Sequence, residues 1–252
     1  MLIELIYFED EELLGNVLWA YSGITEQSSK PHINAVAEQK ITKRLIELVL
    51  KPSKNLYYPA MRVIGNILVS DAEEHTRMFL FEGILSILEK FLHHHELTMR
   101  KEAIWSLSNI AATSPDCIQA IIDYGLIPTI VKKIGEDDPF VRKEAAFTIA
   151  NSIWKGNPRQ ARVAVQCGCL PKMIELALTP NTAEQVLQLV METFENLLKP
   201  EIPAEERAEY AAMINRDARP FLQTVVTTQT STTASINLAN NVLRKLPLPT
   251  AT

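Results

Sequence analysis

The chain has 252 residues, 47% apolar and 22% charged, with a formal net charge of −5 and eight glycines. That length holds one large domain or two ordinary ones, and the apolar share excludes wholesale disorder. Scarce glycine argues against a barrel or sandwich with many tight turns, and net acidity disfavours a nucleic-acid partner.

Residues 1–8 are apolar apart from Glu4, but Glu9, Asp10, Glu11 and Glu12 follow at once. No basic segment precedes them, so they do not read as a secretory leader. No apolar run reaches the roughly 18 residues of a membrane helix. Three cysteines at irregular spacing make no disulfide framework and suit a reducing compartment. The expectation is a soluble, intracellular chain with no membrane partner.

Further along, GNVLWAYSGI, PAMRVIGNIL, EAIWSLSNIA and EAAFTIANSI align without gaps. They place Gly23, Asn66, Asn109 and Asn151 at steps of 43, 43 and 42, and Asn196 and Asn241 extend the ruler at steps of 45. A second marker runs in phase: Gly83, Gly125 and Gly168 stand 42 and 43 apart, with Lys40 and Asp217 at the matching places. A period of about 42 residues with helical patterning predicts an all-α solenoid of armadillo or HEAT type.

One unit reads as HTRMFLFE, a short first helix; Gly83, a break; ILSILEKFL, a second helix; HHHELT, a turn; and MRKEAIWSLSNIAAT, a long third helix. Three helices per unit favour the armadillo form, a right-handed superhelix of about six repeats of ~43 residues. The long helices are expected to begin near Leu13, Leu56, Thr98, Pro139, Ala183 and Thr233. The repeats then fall at 1–29 (partial, lacking its first helix), 30–72, 73–115, 116–157, 158–200 and 201–247. Together they make a single solenoid over 1–247 with a tail at 248–252.

A helical wheel of the third helices points to function. With Trp105 at 0°, Ala103, Ile104, Leu107, Ile110 and Ala111 fall at about 140–260° and form the core stripe. Glu102 falls near 60° and Asn109 near 40°, roughly beside Trp105. Phe147 groups likewise with Glu144 and Asn151, and Trp19 with Asn16. A large aromatic on the polar side of a helix is costly to leave in water, and several at equivalent places make a ladder. Helices stacked ~8–10 Å apart give one rung for about three residues of an extended peptide. Asn amides can grip a peptide main chain, aromatic slots hold Lys or Arg stems, and Glu102 and Glu144 can take the cationic heads. The groove is expected to suit an extended basic peptide.

RKEAIWSLSNIAA, IQAIIDYGLIPTIVKKI and RKEAAFTIANSI together resemble the importin-α (karyopherin-α) family, and PAMRVIGNI matches its Arg-x-x-Gly-Asn repeat through Arg62, Gly65 and Asn66. The likeness is strongest over 56–178. The resemblance implies an adaptor of nuclear import, shuttling between cytoplasm and nucleus, that binds Lys/Arg-rich nuclear localisation peptides. It implies that Trp105, Asn109, Phe147 and Asn151 form the minor peptide site, with Glu102 and Glu144 as acidic partners and Ser108 nearby. Asn66 would hold the peptide backbone, Arg62 would separate the two sites, and Trp19 would be the last rung on the major-site side. The chain would correspond to the carboxy-terminal half of the family, without the importin-β-binding segment. Importin-β is then a partner only if such a segment exists elsewhere, and the terminal repeats would meet the recycling export factor. Phe147 stands where the family has Trp, and Gly23 where it has a larger side chain. Trp154 and Asn196 are secondary candidates for the peptide.

No catalytic constellation is legible, and no cofactor or metal is expected. His93, His94 and His95 are read as a solvated turn, and Cys167 and Cys169 as packed thiols. The competing reading is a generic armadillo or HEAT scaffold unconnected with nuclear import.

Overall fold

In a computed structural model of the chain, residues 2–26, 30–70, 72–228 and 231–247 are described, and all of their regular structure is helical. The tail at 248–252 and residues 229–230 of the turn before the last helix lie outside the described residues. The chain divides into two compact units, Met1–Tyr124 and Gly125–Thr252.

The first unit contains α1 (Leu2–Leu5), α2 (Glu11–Glu26), α3 (Lys30–Ala37), α4 (Thr42–Val49), α5 (Lys54–Leu68), α6 (Glu73–Phe81), α7 (Ile84–Leu92), α8 (Leu97–Thr113) and α9 (Pro115–Tyr124). The long helices pack in sequence, α2 on α5 and α5 on α8, with α4 against α5 and α7 against α8. The stripe read from the α8 wheel is the buried one: Ala103, Ile104, Leu107, Ile110 and Ala111 are all fully buried. The helices it packs on, α5 and α7, bury Ile64 and Leu68, and Leu88 and Leu92, in the core of this unit.

The second unit contains α10 (Ile127–Gly135), α11 (Pro139–Lys155), α12 (Pro158–Gln166), α13 (Cys169–Ala177), α14 (Glu184–Leu197), α15 (Ala204–Thr227) and α16 (Thr233–Lys245). Here α11 packs on α10 and α14, and α14 on α16. Its helix starts are written in side chains. Asp138 accepts the Phe140 N–H ahead of α11, Asn157 and Gln160 form a reciprocal capping box on α12, and the Thr232 hydroxyl accepts the Ser235 N–H on α16. All six long helices begin within two residues of the expected positions.

The in-phase glycines have a conformational cause. Gly83, Gly125 and Gly168 adopt φ of 80°, 86° and 83°, a left-handed turn between consecutive short helices that disfavours any Cβ. Lys40 occupies the same marker and the same region, at φ 57°. Asp217 does not: the break expected there is absent, and α15 runs unbroken for 24 residues. The buried series Tyr210, Ile214, Ala218, Phe221, Leu222 and Val225 keeps helical spacing through that point. That continuous apolar face holds the helix together through the marker, even across Pro220.

The histidine run is only partly solvated. His93 and His95 are exposed, but the His94 ring packs 6.0 Å from Tyr57 and 5.7 Å from Phe91. Burial, aided by His95, holds the His94 pKa below the ordinary imidazole range. Cys117 and Cys169 are buried and Cys167 is half-buried, all three as free thiols, and burial pushes Cys169 up to about 12. Among the described residues no helix is long and apolar enough to cross a membrane.

Candidate peptide-binding site

In the first unit the rung is built by α8 and α5. Trp105 is half-buried, and a Cβ on Gly65 would lie 2.6 Å from its Cζ3 and 2.9 Å from its Cε3. Gly65 is therefore the seat of the indole, since no other residue leaves room for the ring against α5. One turn earlier Arg62 places its Cζ 5.8 Å from the Trp105 ring centroid. Arg62 Nη1 donates to Glu102 Oε1 at 2.8 Å, and Nη2 to Glu26 Oε1 at 2.6 Å. The Glu102 side chain is only 7% exposed. Burial pushes its carboxyl above the ordinary range, against the pull of Arg62. Its second oxygen, Oε2, is buried with no hydrogen-bond partner among the described residues.

These contacts revise two sequence expectations. Glu102, expected to face an incoming cation, is already bound to a guanidinium of its own chain. Arg62, expected to separate two peptide sites, is held between two carboxylates. Asn66 is also engaged: it is buried, and its Nδ2 donates to Thr25 Oγ1 at 3.0 Å and Ser22 O at 3.3 Å. Ser108 is buried, and Asn109 is half-buried with its Nδ2 atom enclosed and without a hydrogen-bond partner among the described residues. Trp19 stands on α2, 49% exposed, edge-on to Tyr58 of α5 at 5.7 Å. A Cβ at Gly23, one turn on from Trp19, would meet nothing within 4 Å.

In the second unit the rung lies on α11 alone. Phe147 and Asn151 are half-buried. Glu144 is buried, which pushes its carboxyl above the ordinary range, while Lys143 pulls it down. Lys143 Nζ lies 3.4 Å from Glu144 Oε1, 5.2 Å from the Phe140 ring and 6.0 Å from the Phe147 ring. One turn beyond Asn151, Trp154 is half-buried, and its enclosed Nε1 has no hydrogen-bond partner among the described residues. It lines a cavity of about 210 Å³ with Asn157, Asn196, Lys199 and Ile202. Asn196 spends its amide locally: Nδ2 donates to Glu192 O at 2.8 Å, and Oδ1 accepts from Lys199 Nζ at 2.7 Å.

The sequence reading missed Glu26, Tyr58, the seating role of Gly65 and the position of Lys143. Lys143 could have been found, because the wheel that pairs Glu144 with Phe147 also sets it one turn before the ring. Glu26 could not, since it reaches Arg62 from a different helix.

No protein-family model matches the chain. Curated relatives do. Importin subunit alpha-4 of Arabidopsis thaliana is 32% identical over 199 residues, which is 79% of this chain and 36% of that protein. Importin subunit alpha-3 of the same plant is 35% identical over 79% of this chain and 37% of its own length. Importin subunit alpha-1a of Oryza sativa subsp. japonica is 35% identical over 130 residues, 52% of this chain and 24% of that protein. A designed armadillo repeat protein superposes with a TM-score of 0.84 at 22% identity, covering 98% of each chain. The chain is an importin-α-like armadillo protein. It spans roughly a quarter to two-fifths of the length of these curated relatives. Its fold is an all-α armadillo-repeat solenoid. A second solved structure of that fold, at TM-score 0.82 and 23% identity, is a designed armadillo protein in complex with the peptide (KR)4.

In this importin-α-like chain, each set groups an aromatic ring, a buried carboxylate and a side-chain amide, with Glu102 bound to Arg62 and Glu144 beside Lys143. Among the described residues no group of three His, Cys, Asp or Glu could hold a metal ion.

Proposed function

We propose that the chain binds Lys/Arg-rich nuclear localisation peptides through its aromatic, acidic and amide rungs, as an adaptor-like component of nuclear import. The observation that carries this reading is the recurrence of one set of side chains on α8 and α11: Glu102, Trp105 and Asn109 on the first, Glu144, Phe147 and Asn151 on the second. The relatives' names support the assignment to import, and the designed armadillo protein solved with (KR)4 supports the fit between this fold and a basic peptide. Trp105, Phe147, Asn109 and Asn151 form the peptide-facing set in this proposal, with Ser108 beside them and Trp19 as a further rung. Trp154 and Asn196 extend it only after rearrangement, because Asn196 is tied to Lys199. The chain acts as a binding module rather than an enzyme, and works in cytoplasm and nucleus. In this proposal the recycling export factor meets the C-terminal repeats, and importin-β is a partner only where an N-terminal segment for it exists elsewhere.

Fluorescence anisotropy with a labelled Lys/Arg peptide at low salt tests it. Binding is expected, weakened by added salt. Trp105→Ala and Phe147→Ala are each expected to cost about 1–3 kcal/mol, as anchor aromatics do. No binding at low ionic strength would sink the proposal.

A further inference from the structure

We propose that Lys143 is a specificity-determining residue that occupies the cation position of the Phe147 rung until a peptide displaces it. The inference rests on the peptide-binding reading above and deepens it. Three distances carry it. The ammonium sits 6.0 Å from the Phe147 ring, 5.2 Å from the Phe140 ring and 3.4 Å from the Glu144 carboxylate. That is the environment a bound Lys or Arg of a peptide would seek: an aromatic face and an acid desolvated by burial.

The occupant is held loosely. Its side chain is 32% exposed, the contact with Glu144 is longer than a hydrogen bond between charged groups, and both residues lie on one helix. The Arg62 guanidinium near Trp105 marks the opposite case. It is fixed by two carboxylates at 2.6 and 2.8 Å. A lysine has one compact charge on a flexible stem, whereas an arginine offers a planar fork that two carboxylates can grip. The Phe147 rung therefore exchanges its cation, whereas Arg62 stays fixed in its clamp beside the Trp105 ring. A peptide cation entering beside Phe147 must overcome like-charge repulsion from Lys143 and win Glu144 from it. This selects peptides whose cation binds there better than a tethered lysine does, and favours arginine over lysine at that place.

The test compares Lys143→Met, which keeps the stem and drops the charge, with Lys132→Met. Lys132 is 70% exposed at the end of α10, and its loss changes net charge equally. Lys143→Met is expected to bind a labelled Lys/Arg peptide about three- to tenfold tighter than wild type, the scale of one like-charge contact near 4 Å in water. Lys132→Met is expected to change affinity less than twofold. In wild type, NMR should find the Lys143 Hε protons shifted upfield by the ring current, less so in Phe147→Leu, and moving back downfield on peptide saturation. Equal gains from the two lysine variants, or Hε resonances unmoved at saturation, would overturn the role of Lys143 while leaving peptide binding intact. No binding by wild type or Lys143→Met would overturn the peptide reading and this inference with it.

Discussion

The rungs on α8 and α11, RKEAIWSLSN and RKEAAFTIAN, share the Arg-Lys-Glu-Ala start and the closing Asn, yet they hold different charge arrangements. On α8 the acid belongs to a three-residue clamp, Glu26–Arg62–Glu102, whose members come from α2, α5 and α8. On α11 the acid has a neighbouring lysine at 3.4 Å. The aromatic differs as well: Trp105 is seated against a glycine of α5, whereas Phe147 shares an ammonium with Phe140. A motif confined to one helix therefore fixes which groups share a face. It does not fix whether the acid's charge is already spent.

Breaking the clamp should have the largest effect on stability. Arg62→Ala leaves the Glu102 carboxylate buried without its cation, and is expected to cost about 2–4 kcal/mol by urea denaturation. Adding Glu102→Gln should recover much of that loss. If Arg62→Ala unfolds at the wild-type midpoint, the clamp adds nothing and the two rungs are energetically alike. Next in size is the seat of Trp105. Gly65→Ala places a methyl 2.6 Å from the ring and should cost about 1–3 kcal/mol in overpacking. The better helix propensity of alanine returns up to about 1 kcal/mol of it. Near-ultraviolet circular dichroism should register the displaced indole, and an unchanged spectrum would refute the seating role.

The smallest expected effect sharpens the contrast from the other side. Burial raises the folded-state pKa of Glu144 above its unfolded value, so the folded state holds the proton more tightly. Its contribution to stability is therefore lost as pH rises from the ordinary carboxylate range through the raised value. Glu144→Gln should flatten that part of the pH–stability curve and slightly raise the melting temperature at neutral pH. The same change should weaken basic-peptide binding. A variant that melts lower than wild type at pH 7 would mean that the bond to Lys143 outweighs the burial of the charge.

Much of the fold was legible from residues one turn apart. The buried stripe of α8 and the starts of all six long helices follow from helical spacing, and the left-handed turns at Gly83, Gly125 and Gly168 from the recurrent glycines. The reading failed where the apolar face ran on through a marker position, as at Asp217 in α15. Within the candidate site, the grouping of Trp105 with Glu102 and Asn109 was legible, but the engagement of Asn66 with Ser22 and Thr25 was not.

By itself, then, the sequence determined the repeat, the helices and the residues each helix presents together. These depend on backbone conformation and on neighbours within a turn. Only the tertiary structure decided which charges are paired and which rings are seated, because Glu26, Arg62, Gly65, Glu102 and Trp105 meet across separations of 36 to 43 residues. Such contacts depend on how the ridges of one helix dock against the next, and no single-helix pattern encodes that docking.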